Sequence, residues 1–158
     1  METMLSLEVL NNVSEIDVVY KKKIKVKMSE RPLVATSADC NKILLHYWSE
    51  GKIDLLEEFK VLMLNRSNRV LQILSVSSGG ITGTVADTRI ILIAALKVGA
   101  VSLILAHNHP SGSLKPSRAD EDLTKKIKYA AQYFDITVLD HLIITSEGYY
   151  SFADEGLL

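Results

Sequence analysis

A chain of 158 residues, 47% of them hydrophobic, is long enough to form one domain with a real core. Its 18 lysines and arginines against 19 aspartates and glutamates leave a net charge of −1, so no global field steers it toward nucleic acid or a membrane. One cysteine, Cys40, excludes an intramolecular disulfide, and there is no basic-then-apolar leader or apolar run of membrane length, which makes the cytoplasm the expected compartment.

Residues 1–36 read as an N-terminal extension of unclear role, and those before Tyr20 are weakly patterned. Lys21 to Lys27 alternates lysine with aliphatic residues near its end, the pattern of an edge strand guarded by lysines, with a basic patch for nucleic acid as the weaker alternative. Ser37 to Ser49 is expected to be a helix with Cys40, Ile43, Leu44, Tyr47 and Trp48 on its buried stripe and Gly51 ending it. Two strands follow, Glu57–Leu64 and Val70–Val76, joined by a turn at Asn65-Arg66-Ser67-Asn68. Gly79, Gly80 and Gly83 form a flexible connection that lacks the Gly-Lys-Ser/Thr of a phosphate loop. Asp87 to Val98 is a strongly apolar helix stopped by Gly99, with Arg89 either a paired structural charge or a substrate contact.

Val101 to Ala106 is an apolar run of strand length, expected to be buried on both faces and to leave the sheet just before His107. Pro110, Ser111, Gly112, Ser113 and Pro116 then mark a loop. A helix begins at Ser117, with Leu123, Ile127, Ala130, Ala131 and Phe134 on one face and Asp120 in its first turn. Strands around Ile136–Thr145 and Tyr149–Phe152 close the chain, joined by Ser146-Glu147-Gly148. Helices mixed with adjacent strands and hairpins indicate an α/β fold with a mixed sheet in a single domain.

Within that frame His107, His109 and Asp120 form a three-ligand set on a strand–loop–helix unit. Two imidazoles and one carboxylate leave a fourth tetrahedral position for water, whereas a closed structural site normally takes a fourth protein ligand, usually cysteine. The arrangement therefore favours an open metal site with a position available for catalysis. Taken alone, Ser117 and Asp120 are a relative of the capping box, and Ser117 alone is more often a cap than a catalyst. The consecutive His-Asn-His triplet is not the signature of the HNH nucleases, whose histidines are spread through a ββα-metal unit. Asp140 and His141 sit in the late strand on opposite faces, so they form no mutual dyad and are expected to be structural or to support a ligand histidine.

His107-x-His109-Pro110 with Ser117-x-x-Asp120 resembles the JAMM motif of MPN-domain metalloproteases. His107-Asn108-His109-Pro110-Ser111-Gly112, Pro116-Ser117 and Leu139-Asp140-His141-Leu142-Ile143 are similar to the RadC-like branch in particular, over about residues 37–156. The resemblance implies an MPN (JAB/JAMM) fold over 37–158, flanking helices on a mixed sheet, and a bound Zn2+. Full-length RadC proteins usually carry an N-terminal helix-hairpin-helix region, for which residues 1–36 are too short.

The resemblance also implies a glutamate near the metal-bound water, two residues before an aromatic, which selects Glu57 ahead of Phe59. Alternation sets Glu57 with Phe59, Val61 and Met63, and Glu58 with Lys60, Leu62 and Leu64. Glu57 is then partly desolvated and suited to proton transfer, while Glu58 is expected to be solvated. The implied activity is zinc-assisted hydrolysis of an amide bond in a protein or peptide, with Glu57 as base and Ser117 as oxyanion donor. The alternative is a metal-binding accessory protein of DNA repair or processing, without peptidase activity.

Overall fold

Two strands, Glu58–Leu64 (β1) and Ser102–Asn108 (β3), are buried along their whole length, the polar residues Glu58, Lys60, His107 and Asn108 included. They lie side by side in the computed structural model, which describes residues 26–79 and 86–158. Val70–Ser78 (β2) pairs antiparallel with the outer edge of β1 through a tight turn. In that turn the Asn65 side chain accepts hydrogen bonds from the N–H groups of Ser67 and Arg69, and Asn68 takes a positive φ of 53°. Thr137–Ile144 (β4) pairs parallel with β3, and Tyr149–Ser151 (β5) pairs antiparallel with β4. The strand order is β2-β1-β3-β4-β5, a five-stranded mixed sheet.

Helices cover both faces. Ser37–His46 (α1), capped by Thr36, and the single turn Glu50–Ile53 (α2) pack with Leu62, Leu64, Ile104, Ala106, Leu142 and Ile144. Thr88–Val98 (α3) and Arg118–Gln132 (α4) pack on the opposite face with Phe59, Val61, Met63, Leu103 and Leu105. The parallel pair β3–β4 needs a crossover, and α4 supplies it. Helix α3 starts at Asp87, whose carboxylate accepts from the Arg89 backbone and binds its guanidinium at 2.7 Å, so Arg89 is a paired structural charge at an exposed helix start. It stops at Gly99, in the left-handed region at φ 67°. Among the described residues no helix is long and apolar enough to cross a membrane.

The α/β architecture matches the expected one, with four local corrections. Helix α1 ends at His46 rather than Ser49, and Tyr47 is 55% exposed because the chain tightens there to deliver Trp48 to the core instead. Gly51 does not end that helix; it sits inside α2. Phe134 is 49% exposed, since α4 ends at Gln132 and the following turn swings its ring outward. Strand β3 does not leave the sheet at Ala106: pairing on both sides, His107 with Phe59 and Asn108 with Ile144, carries it two residues further. Gly80, Gly83 and Lys21 to Lys25 lie outside the described residues.

Alternation in β1 is as expected, but solvation is not. Glu58 is only 8% exposed and pairs with the equally buried Lys60 at 3.4 Å. The Lys60 ammonium also donates to the Ser75 hydroxyl at 3.1 Å and lies 4.9 Å from the centre of the Trp48 ring. Covering this face with α1 and α2 removes the water that would have solvated Glu58. Glu58→Gln should therefore destabilise the fold by on the order of 3 kcal/mol, because it strands a buried ammonium. Chemical denaturation checks this, and an unchanged midpoint would mean that the pair is solvated.

Candidate metal centre

The site grows from the last residues of β3. Side chains alternate along a strand, so His107 and the following His109 face α4, while Asn108 between them faces α2. His107 is 1% exposed, with its ring parallel to that of Phe59 on β1 at 6.2 Å. His109 lies one residue past the strand, its N–H bonded to the Ile144 carbonyl on β4. Its Nδ1 stands 2.7 Å from the Ser113 carbonyl oxygen. A carbonyl only accepts, so His109 carries its proton on Nδ1 and keeps the Nε2 lone pair free.

Asp120 comes from the first turn of α4, and the cap of that helix aims it. Ser117 is the N-cap: its hydroxyl accepts from the Asp120 N–H at 3.2 Å. Reciprocally, Asp120 Oδ2 accepts from the Ser117 N–H and hydroxyl, both at 2.7 Å. Oδ1 is thereby turned toward the histidines. Burial pushes the Asp120 carboxyl up, but the hydrogen bond and charge of His107, with the two Ser117 donors, outweigh it and hold the group below the usual carboxylate range. The Asp120 carboxylate is an anion.

His107 Nε2 and His109 Nε2 stand 2.9 Å apart, Asp120 Oδ1 lies 3.3 Å from the first, and Oδ2 lies 3.8 Å from the second. With metal–ligand bonds of about 2.0–2.1 Å, tetrahedral ligand atoms are about 3.3–3.4 Å apart, a spacing these distances bracket. The donor set fits a small divalent cation, and these three residues are the group able to hold one among the described residues. His109 and Asp120 are partly exposed where His107 is not, so the cluster opens toward solvent on its His109 side.

The structure does not bring Glu57 into this cluster. It sits one residue ahead of β1, half-buried, with its carbonyl accepting the Gly79 N–H. Phe59 pairs with His107, so continuing that antiparallel register by two residues sets Glu57 opposite His109. Asp140 and His141 separate as alternation requires. Asp140 ties β5 to β4, accepting from the Ser151 hydroxyl at 2.6 Å and from the N–H groups of His141 and Ala153. Burial pushes its carboxyl up despite these donors. His141 turns the other way, into contact with His107: its Nε2 lies 2.8 Å from His107 Nδ1. Burial first, and the neighbouring His107 second, push its pKa down and keep the imidazole neutral.

Two contributors had no role assigned to them from the sequence. Asn108 is fully buried; its amide donates to the Ile53 and Leu56 carbonyls at 2.6 and 2.8 Å and accepts the Glu58 N–H at 2.7 Å. It pins the segment that carries Glu57 to the strand that carries the histidines. Strand alternation would have placed it opposite its neighbours, where a buried amide needs partners. Thr124, one turn after Asp120, is the other; its hydroxyl lies 2.6 Å from His141 Nδ1.

Comparison with known proteins gives the family of the chain. A family model described as the RadC-like JAB domain matches residues 34–157. A UPF0758 protein of Flavobacterium johnsoniae is 55% identical over 101 residues, covering 64% of this chain and 44% of that one. A UPF0758 protein of Porphyromonas gingivalis is 47% identical over 103 residues, 65% of this chain and 45% of its own. UPF0758 protein YfjY of Escherichia coli is 43% identical over 102 residues, 65% of this chain and 64% of its own. The matched region thus spans about half the length of the first two relatives.

Elemental analysis of the purified chain should return about one divalent metal ion per molecule. The double substitution His107→Ala with His109→Ala should abolish it. Unchanged metal content in that variant would contradict the cluster.

Proposed function

The chain belongs to the RadC-like JAB domain family, and from that premise we propose that it is a zinc-dependent hydrolase cleaving an amide bond in a protein or peptide, as a metallopeptidase or isopeptidase. The observation that carries this reading is the three-donor cluster, two ring nitrogens and one carboxylate, open on one side. Two nitrogens and one oxygen suit zinc, and three protein ligands leave a coordination position for chemistry. Zinc bound there supplies Lewis acidity, which lowers the pKa of water from about 15.7 to about 7 and polarises a carbonyl.

The residues of the chain do the rest. His107 and His109 hold the cation from a rigid strand end, and Asp120 offsets part of its charge. Glu57 accepts the proton of the attacking water on its carboxylate and returns it to the departing nitrogen, the role its place opposite His109 supports. Ser117 has two duties. In the resting site its hydroxyl donates to Asp120 Oδ2; with substrate present the same O–H turns to the oxyanion of the tetrahedral intermediate. The exposed position of Ser117 at the helix start gives it room to do so.

The test is a peptide-library cleavage screen with zinc-loaded protein, followed by variants on whichever sequence is cut. Glu57→Gln should keep the metal and lose about 10²–10⁴-fold in turnover, because an amide cannot relay a proton. Full activity in that variant would remove Glu57 from the mechanism. Ser117→Ala should lower turnover about a hundredfold and, as a lost cap, cost about 0.5–2 kcal/mol in a melting experiment. Earlier melting with normal turnover would leave Ser117 as a cap alone.

A further inference from the structure

The contacts behind His107 run in one direction, and that direction follows from the donors. Thr124 donates its only hydroxyl proton to the Asp120 carbonyl, 2.5 Å away and one helical turn earlier. Its oxygen therefore has only lone pairs to offer His141 Nδ1, 2.6 Å away, so that nitrogen carries the N–H. A neutral imidazole protonated on Nδ1 has a bare lone pair on Nε2. Across 2.8 Å that lone pair faces His107 Nδ1, which must then be the donor. In the neutral form that a metal ligand must take, a proton on Nδ1 leaves His107 Nε2 unprotonated toward His109 Nε2 and Asp120.

We propose that Thr124 and His141 are positioning residues that set the tautomer of His107, through a relay from His107 Nδ1–H to His141, from His141 Nδ1–H to Thr124, and from the Thr124 hydroxyl to the Asp120 carbonyl. The relay ends on the backbone of the third ligand, so ligands from β3 and α4 are joined twice, once through the cation site and once through the buried side chains behind it. His141 cannot turn out of line. It is fully buried, its ring stacks on Phe152 at 4.7 Å, and Phe59 meets it edge-on at 5.6 Å. Of the two ligand histidines, His109 takes its tautomer from a backbone carbonyl in the adjacent loop, whereas His107 takes its own from residues on two other elements. The inference rests on the metal reading for its purpose but on hydrogen-bond direction alone for its geometry.

Two measurements on the full chain test it. The first is nitrogen-15 NMR of the histidine rings, in which protonated and bare ring nitrogens have distinct shifts. His141 should show a protonated Nδ1 and a bare Nε2 with or without zinc. The second is zinc affinity by competition with a chelating dye. Thr124→Val keeps the shape but removes the acceptor, so His141 should lose its single tautomer and zinc should bind about 10–100-fold more weakly. Thr124→Ser restores the hydroxyl and should restore both readings, which mere loss of packing would not. Wild-type affinity in Thr124→Val, or His141 protonated on Nε2 in the wild type, would overturn the relay. If Thr124→Val does not fold, Thr124→Ser and the wild-type ring shifts still decide it. A wild type that takes up no zinc would defeat the metal reading, while the His141 shifts would still uphold or overturn the relay.

Discussion

Alternation at the end of β3 is the constraint on which the rest of the structure depends. The strand is held on both edges, by β1 as far as His107 and by β4 to its last residue, Asn108. Consecutive residues there must face opposite ways, so His107 and His109 share one face of the sheet and Asn108 takes the other. A histidine pair one residue apart on a less firmly held segment would have no fixed relation. Here the two Nε2 atoms are brought to 2.9 Å. Asn108, facing away, uses all its hydrogen-bonding groups on the backbone around α2 and β1. One strand end thus builds the three-donor cluster on one face and the support for the Glu57 segment on the other.

The second determinant is the cap of α4. Ser117 and Asp120 satisfy orphan groups at the helix start, and the same exchange leaves one carboxylate oxygen pointing at the histidines. Capping and ligation are not competing accounts of these residues. The helix start needs an acceptor for its amides, a cation needs an anionic oxygen, and a bidentate carboxylate serves both. The same helix, one turn on, carries Thr124 to His141. α4 therefore meets the cluster from the front through Asp120 and from behind through Thr124.

The clustering of His107, His109 and Asp120 was legible in the sequence because these candidate ligands are chemically conspicuous and close together. Two imidazoles, a proline-marked loop and a helix-start carboxylate fall within fourteen positions, and local geometry almost suffices to join them. Strand alternation in β1 and the separation of Asp140 from His141 were legible for the same reason: period 2 is a local rule. What escaped notice depends on tertiary cover. Glu58 looks solvated until two helices close over its face, and Tyr47 looks buried until the chain turns to send Trp48 inward. Asn108 and Thr124 are common residue types whose importance lies wholly in what they touch, 34 positions separating even His107 from His141.

The central claim is that two ring nitrogens and one carboxylate oxygen bind one cation in an open site. X-ray absorption spectroscopy at the zinc edge of the zinc-loaded protein tests it most directly. The account predicts a first shell of nitrogen and oxygen only, at about 2.0–2.2 Å, with two imidazole scattering patterns and a total of about four ligands. A shell containing sulfur, a single imidazole, or zinc bound through oxygens alone would contradict it.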